Sequence, residues 1–184
     1  VSITADSISS PAGLKQIDLA INHLIDHNKP DVILIETPGS SHPLPLVKYL
    51  RRHSRVRLKA FLTLVDTVML HEDYNDGKKL IPTLQENLRH NKRGLENLLA
   101  EQIMFCNRLL LTRNDRLPFD IISAVAKAIH PLNPSVDVLA VSWGNIELST
   151  LLAIPDYNFD RVELLISELE ALVGNMDTPC NNEE

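Results

Sequence analysis

Glycine is scarce in this chain, with six among 184 residues, and none stands in the pattern G-x-x-x-x-G-K-[ST]. That loop cradles phosphates with backbone N–H groups, neutralises them with its Lys and holds Mg²⁺ with its Ser or Thr. The nearest approach, Asp76-Gly77-Lys78-Lys79, lacks the first glycine and a preceding strand. Cysteine is scarcer still: Cys106 and Cys180 lie far apart, which excludes both a disulfide framework and a C-x-x-C metal or redox pair. Long apolar runs and a charged-then-apolar leader are missing, so neither a membrane span nor a secretory signal is expected. Positive charge is in deficit, 18 Lys plus Arg against 24 Asp plus Glu for a net −6. That balance argues against a nucleic-acid partner, whose phosphates are met by Lys and Arg. What is present, 44% hydrophobic and 23% charged residues, is ordinary globular composition. The length predicts one domain, read as α/β over 1–173 with a flexible tail over 174–184, and the missing span and leader lead to the expectation of a cytoplasmic setting. The chain opens on Val1 in mid-polar text, which reads as a sequence whose upstream residues are missing.

From Gly13 to Asn28, Leu14, Ile17, Ala20, Ile21, Leu24 and Ile25 recur at helical spacing, and Asn28-Lys29-Pro30 ends the helix. Val32 to Ile35 is a β-branched run apolar on both faces, the pattern of a strand buried in a parallel sheet. Thr37 to Pro45 predicts a loop, and Val47 to Arg52 a short basic helix. Further strands are expected at Leu58 to Val65, Leu109 to Leu111 and Val136 to Val141. Helices are expected at Leu95 to Met104, Ile121 to Ile129, Ile146 to Leu152 and Val162 to Leu172, with polar text including Asp73 to Lys79 between. Strands separated by helical crossovers make a mostly parallel sheet flanked by helices. Ligands bind such sheets beyond the carboxyl ends of the strands.

Three strand ends carry chemistry. Glu36-Thr37-Pro38-Gly39 follows the first: a carboxylate there can orient a Mg²⁺-bound water, and Gly39 lets a backbone N–H approach a terminal phosphate. Read by itself it is equally a strand cap and a turn. Thr112-Arg113-Asn114-Asp115 follows the third strand. Its Asp115 carboxylate could accept both the N1–H and the exocyclic amine of guanine, with the aliphatic stem of Arg113 over the base. Ser142-Trp143-Gly144 follows the fourth and could present backbone N–H groups to a base carbonyl. Either segment alone also reads as a plain turn.

In order and spacing these segments resemble the GTPases of the CobW family, grouped with the UreG and HypB metallochaperones, from about Asp31 to Leu152. D-V-I-L-I-E-T-P-G-S-S-H-P looks like the family's strand and E-T-x-G loop, and F-L-T-L-V-D-T-V like its next strand, ending at Asp66. E-Q-I-M-F-C-N-R-L-L-L-T-R-N-D-R-L looks like its helix, strand and N/T-K-x-D base motif, and L-N-P-S-V-D-V-L-A-V-S-W-G-N-I-E-L like its last strand, turn and helix. The resemblance implies a P-loop NTPase-like three-layer sandwich, here N-terminally incomplete, that binds GTP or GDP with Mg²⁺ and serves a metalloprotein client. It implies Glu36 in the Mg²⁺–water shell, Gly39 as γ-phosphate sensor, Asp115 as guanine reader and Thr112 at the Asn position. Arg113 stands where the family usually has Lys, and Ser142, Trp143 and Gly144 form the last base-facing turn.

The chain departs from the family in lacking the phosphate loop, the C-x-C-C metal motif and a C-terminal domain. Zinc or another transition metal is thus implied without its Cys ligands, since the hydroxyls of Ser7 to Ser10 are poor donors for such ions. Either the phosphate loop lies upstream, or the chain is a degenerate member that serves as a non-catalytic interaction scaffold. In both cases this chain alone is expected not to hydrolyse GTP. A third reading, an unrelated doubly wound protein with chance turns, also remains open at this point.

His23 and His27 stand at i, i+4, the spacing of two ligands on one helical face, although Leu24 and Ile25 beside them read as core and no third ligand is near. His71-Glu72-Asp73 reads as a solvated cluster, and His42 sits in the loop that would move with a γ-phosphate. Arg51, Arg52, His53, Arg55, Arg57 and Lys59 read as a solvated basic helix end, and Cys106 as an inert buried thiol.

Overall fold

A computed structural model describes residues 1–3, 8–90, 92 and 94–174. The chain divides into two compact units, Val1–Leu58 and Lys59–Glu184.

In the first unit, Ser10 caps helix α1 (Pro11–Asn28): its Oγ accepts from the Gly13 N–H at 3.1 Å, and Pro11 takes the first turn, where its missing N–H costs nothing. The helix ends at Lys29, whose left-handed backbone (φ 46°) lets its N–H donate to the Leu24 carbonyl. Helix α2 (Pro43–Arg52) likewise begins on a proline. Ile17 and Ile21 of α1 and Leu50 of α2 are buried together, with Ile25, Ile33 and Ile35 packed against them. Burial of Ile17, Ile21 and Leu50 contributes roughly 1.5–3 kcal/mol each. The Tyr49 hydroxyl ties the helices by donating to Asp18 at 2.6 Å.

The strand expected at Val32 to Ile35 is not formed. The segment has no regular secondary structure and joins no ladder among the described residues, and only one of its faces is covered: Val32 is 57% and Leu34 81% exposed. Among its described residues this unit offers no second strand to pair with, and the run packs against the two helices through Ile33 and Ile35.

The second unit holds a three-stranded parallel sheet in the order β1 (Leu62–Asp66), β2 (Arg108–Thr112), β3 (Asp137–Ala140). Helices α3 (Thr67–Glu72), α4 (Leu80–Arg89) and α5 (Leu95–Phe105) connect β1 to β2, and α6 (Phe119–Ile129) connects β2 to β3. Then come α7 (Leu148–Leu152) and α8 (Phe159–Gly174). This is the α/β architecture expected, with three strands among the described residues where four were predicted. Central β2 buries Leu109, Leu110 and Leu111, while α4, α5 and α6 contribute Leu80, Ile103 and Val125 to the same core. Buried Asn133 donates to the carbonyls of Ile103, Met104 and Cys106, closing the end of α5.

The polar stretch after β1 folds into α3 and α4. Pro82 falls in the first turn of α4, where proline is tolerated. Of the expected tail, residues 175–184 lie outside the described residues, as does Cys180. Among the described residues no helix is long and apolar enough to cross a membrane.

Candidate functional site

Parallel pairing puts the carboxyl ends of β1, β2 and β3 on one edge of the sheet, with Asp66 in register with Thr112 and Leu111 with Ala140. The segments beyond them are bound to one another through side chains. Asn114 is buried and donates through Nδ2 to the carbonyls of Leu111 and, at 3.3 Å, of Val141. Its Oδ1 accepts from the hydroxyl of fully buried Thr67 at 2.9 Å. One amide thus joins the ends of all three strands. Thr112, expected at the family's Asn position, donates instead to the neighbouring Val65 carbonyl at 3.1 Å.

Asp66 caps α3: its Oδ1 accepts from the N–H groups of Val68 at 2.9 Å and Met69 at 3.2 Å. Its Oδ2 accepts from the guanidinium of Arg113. Burial opposes ionisation of this carboxyl, but Arg113 and the two amides outweigh it, and the pKa lies below the ordinary value. Arg113 has a left-handed backbone, φ 60° and ψ 25°, a strained conformation for any residue but glycine. It turns the chain into the 3₁₀ turn Asn114–Arg116, on which the Asp115 side chain is exposed to solvent.

The turn after β3 is left-handed at two successive residues, Trp143 (φ 58°) and Gly144 (φ 68°). The Asn145 N–H closes it by donating to the Ser142 carbonyl at 3.0 Å. Two positive φ angles in the middle define a tight turn that suits glycine at 144 but not a bulky residue at 143. Trp143 holds that position with 85% of its surface exposed, so no burial of its ring offsets the strain.

Glu36 and Gly39 belong to the first unit, and both are exposed. The Ser41 N–H donates to the Pro38 carbonyl at 2.9 Å across a turn holding Gly39. The backbone of Gly39 does not have a positive φ, and a Cβ there would meet nothing within 4 Å. Neither conformation nor packing in this unit therefore calls for glycine at 39.

The remaining sequence candidates separate cleanly. His71 binds Asp76 at 2.6 Å rather than its sequence neighbours, and Asp76-Gly77 lies in a run of left-handed residues from Asn75 to Gly77. His42 stands at the N-cap position of α2 without a side-chain cap bond. Arg55 binds Asn22 and Asp26, and Lys59 binds Asp156 at 2.6 Å. Cys106 is buried, and burial pushes its thiol up to about 12, which makes it the inert thiol expected. His23 and His27 are exposed rather than part of the core. Among the described residues no group of three His, Cys, Asp or Glu side chains converges as a metal site. Asn114 and Thr67 are the site residues that sequence reasoning missed.

The profile of the CobW/HypB/UreG nucleotide-binding domain matches residues 14–140, well over half of the chain. The chain belongs to this family. Zinc-regulated GTPase metalloprotein activator 1 of Dictyostelium discoideum is 23% identical over 152 residues, which cover 77% of this chain. The chain spans 32% of that relative's length. No solved structure matches the chain significantly. With family membership established, the reading of these turns as chance segments of an unrelated doubly wound protein falls away.

Proposed function

We propose that this CobW-family chain binds the base of a guanine nucleotide beyond the strand ends of its sheet and serves a GTP-dependent step in metal-cofactor handling. The observation that carries this reading is the pair of left-handed turns at the ends of adjacent strands, one bearing exposed Asp115 and the other Ser142-Trp143-Gly144. A carboxylate can accept two hydrogen bonds side by side, which matches the N1–H and exocyclic amine of guanine; adenine offers no such pair. The stem of Arg113, anchored through its head group on Asp66, supplies an apolar strip for one face of the ring. The turn at 142–144 presents backbone amides to the base carbonyl.

From the family resemblance, Glu36 is proposed to hold a Mg²⁺-bound water and Gly39 to lie against a γ-phosphate. The open space where a Cβ would stand on Gly39 supports this, because close approach of a ligand explains a glycine that the fold does not need. Mg²⁺, when bound, neutralises phosphate charge. Handling of a metalloprotein client is inferred from the relative's name.

No glycine of these 184 residues stands in the phosphate-loop pattern that grips a β-phosphate. That observation favours, for the chain by itself, the second reading of an interaction scaffold without turnover. Competition of a fluorescent GDP analogue against GTP and ATP, paired with a phosphate-release assay, separates the readings. The expected result is displacement by GTP and not ATP, with no Mg²⁺-dependent hydrolysis. Asp115→Asn should weaken guanine-nucleotide binding roughly 10- to 100-fold and erase the preference over ATP. If neither nucleotide binds, the scaffold reading stands; robust hydrolysis would overturn the account of the phosphate end.

A further inference from the structure

Helix α1 carries His23 and His27 one turn apart on its solvent-exposed surface. Their ring centroids lie 4.2 Å apart with the planes inclined by 30°. Nδ1 of His27 is 2.9 Å from the backbone carbonyl of His23. A carbonyl oxygen only accepts, so Nδ1 carries a proton, and the neutral ring then has its lone pair on Nε2. In metal sites this outer bond is what fixes the tautomer and orientation of a ligating imidazole. A histidine on a helix surface needs no such bond for solubility. Here it leaves the other ring nitrogen of His27 unused by that bond, beside a second imidazole, and both rings interact through charge with the Asp26 carboxylate.

We propose that His23 and His27 form a two-histidine site for a borderline divalent transition-metal ion of the zinc, nickel or copper type. Nε2 of His27 and a ring nitrogen of His23 are the ligands. Imidazole suits these ions, whereas Mg²⁺ and Ca²⁺ require oxygen donors. Asp26, adjacent in sequence, is occupied by the Arg55 guanidinium at 2.5 Å and is not a ligand. No third protein donor joins the pair among the described residues, so water fills the other positions and the site is open. The site lies on α1 and includes no residue assigned to the nucleotide, and its test does not depend on nucleotide binding.

The test is a zinc titration of the untagged 184-residue chain, followed by the ring nitrogen–proton correlations of its histidines. Magnesium serves as the control. The two imidazoles should shift together with a common half-saturation point, while the rings of His42, His53, His71, His90 and His130 stay in place. Magnesium should move none. His23→Ala and His27→Ala should each raise the half-saturation concentration at least ~10-fold, because the second ligand of a chelate binds at high effective concentration. Both variants exchange an exposed helical residue for the best helix former, so both should fold. Equal response of all seven histidines to zinc, or an unchanged half-saturation point in either variant, would overturn the assignment.

Discussion

A single side chain, Asn114, holds the ends of three strands together, and its chemistry decides how it can be replaced. Both Nδ2 protons are donated to carbonyls, those of Leu111 and Val141, while Oδ1 accepts from Thr67. Asn114→Ala should cost about 2 kcal/mol, the consequence of stranding buried polar groups, and be read as a lower thermal midpoint. Asn114→Asp keeps the shape but turns both donors into acceptors that face carbonyl oxygens. It should be the more damaging change; equal midpoints for the two variants would sink the tether account. The sequence made Arg113 and Asp115 legible because a charged turn after an apolar strand suits ligand contact. Asn114 was not legible from it: an asparagine in a turn has the same signature whether it faces water or knots a sheet, and only the packing of β1 and β3 distinguishes the cases.

At the scale of elements, α3 depends on its first cap. Asp66 satisfies two of the amides left open at the start of α3 and anchors Arg113 with its other oxygen. Its folded pKa is lowered, so its contribution to stability is complete above the unfolded carboxyl value, about 3.9. It is lost as the pH falls through the lower folded value. Thermal unfolding between pH 6 and pH 2 should therefore show a destabilisation in the acid limb that shrinks in Asp66→Asn, since asparagine still caps but does not titrate. An acid limb of unchanged depth in that variant would count against the role. The longer helices were legible because α1, α5 and α6 repeat their apolar residues at helical spacing. Helix α3 was hidden by its six residues, and α4 by a proline and charged neighbours, although it buries Leu80 and Leu84. Val32 to Ile35 misled in the opposite sense: residues that prefer a strand form one only where another backbone meets theirs.

At the scale of the whole molecule, membership of the CobW/HypB/UreG family and a parallel α/β sheet agree with the order of motifs read from the chain. The first unit exposes Leu34 and Val32 on a segment that joins no ladder among the described residues, an apolar run open to unwanted pairing. Leu34→Lys should reduce self-association of the concentrated chain in sedimentation velocity while shifting stability by no more than roughly 0.5 kcal/mol. Unaltered self-association would locate the adhesive surface elsewhere. Trp143, the one tryptophan of the chain, has a consequence for optical work. Its ring is solvated in the folded protein, so its emission is nearly blind to loss of the core and reports instead on whatever comes to rest on the turn beyond β3.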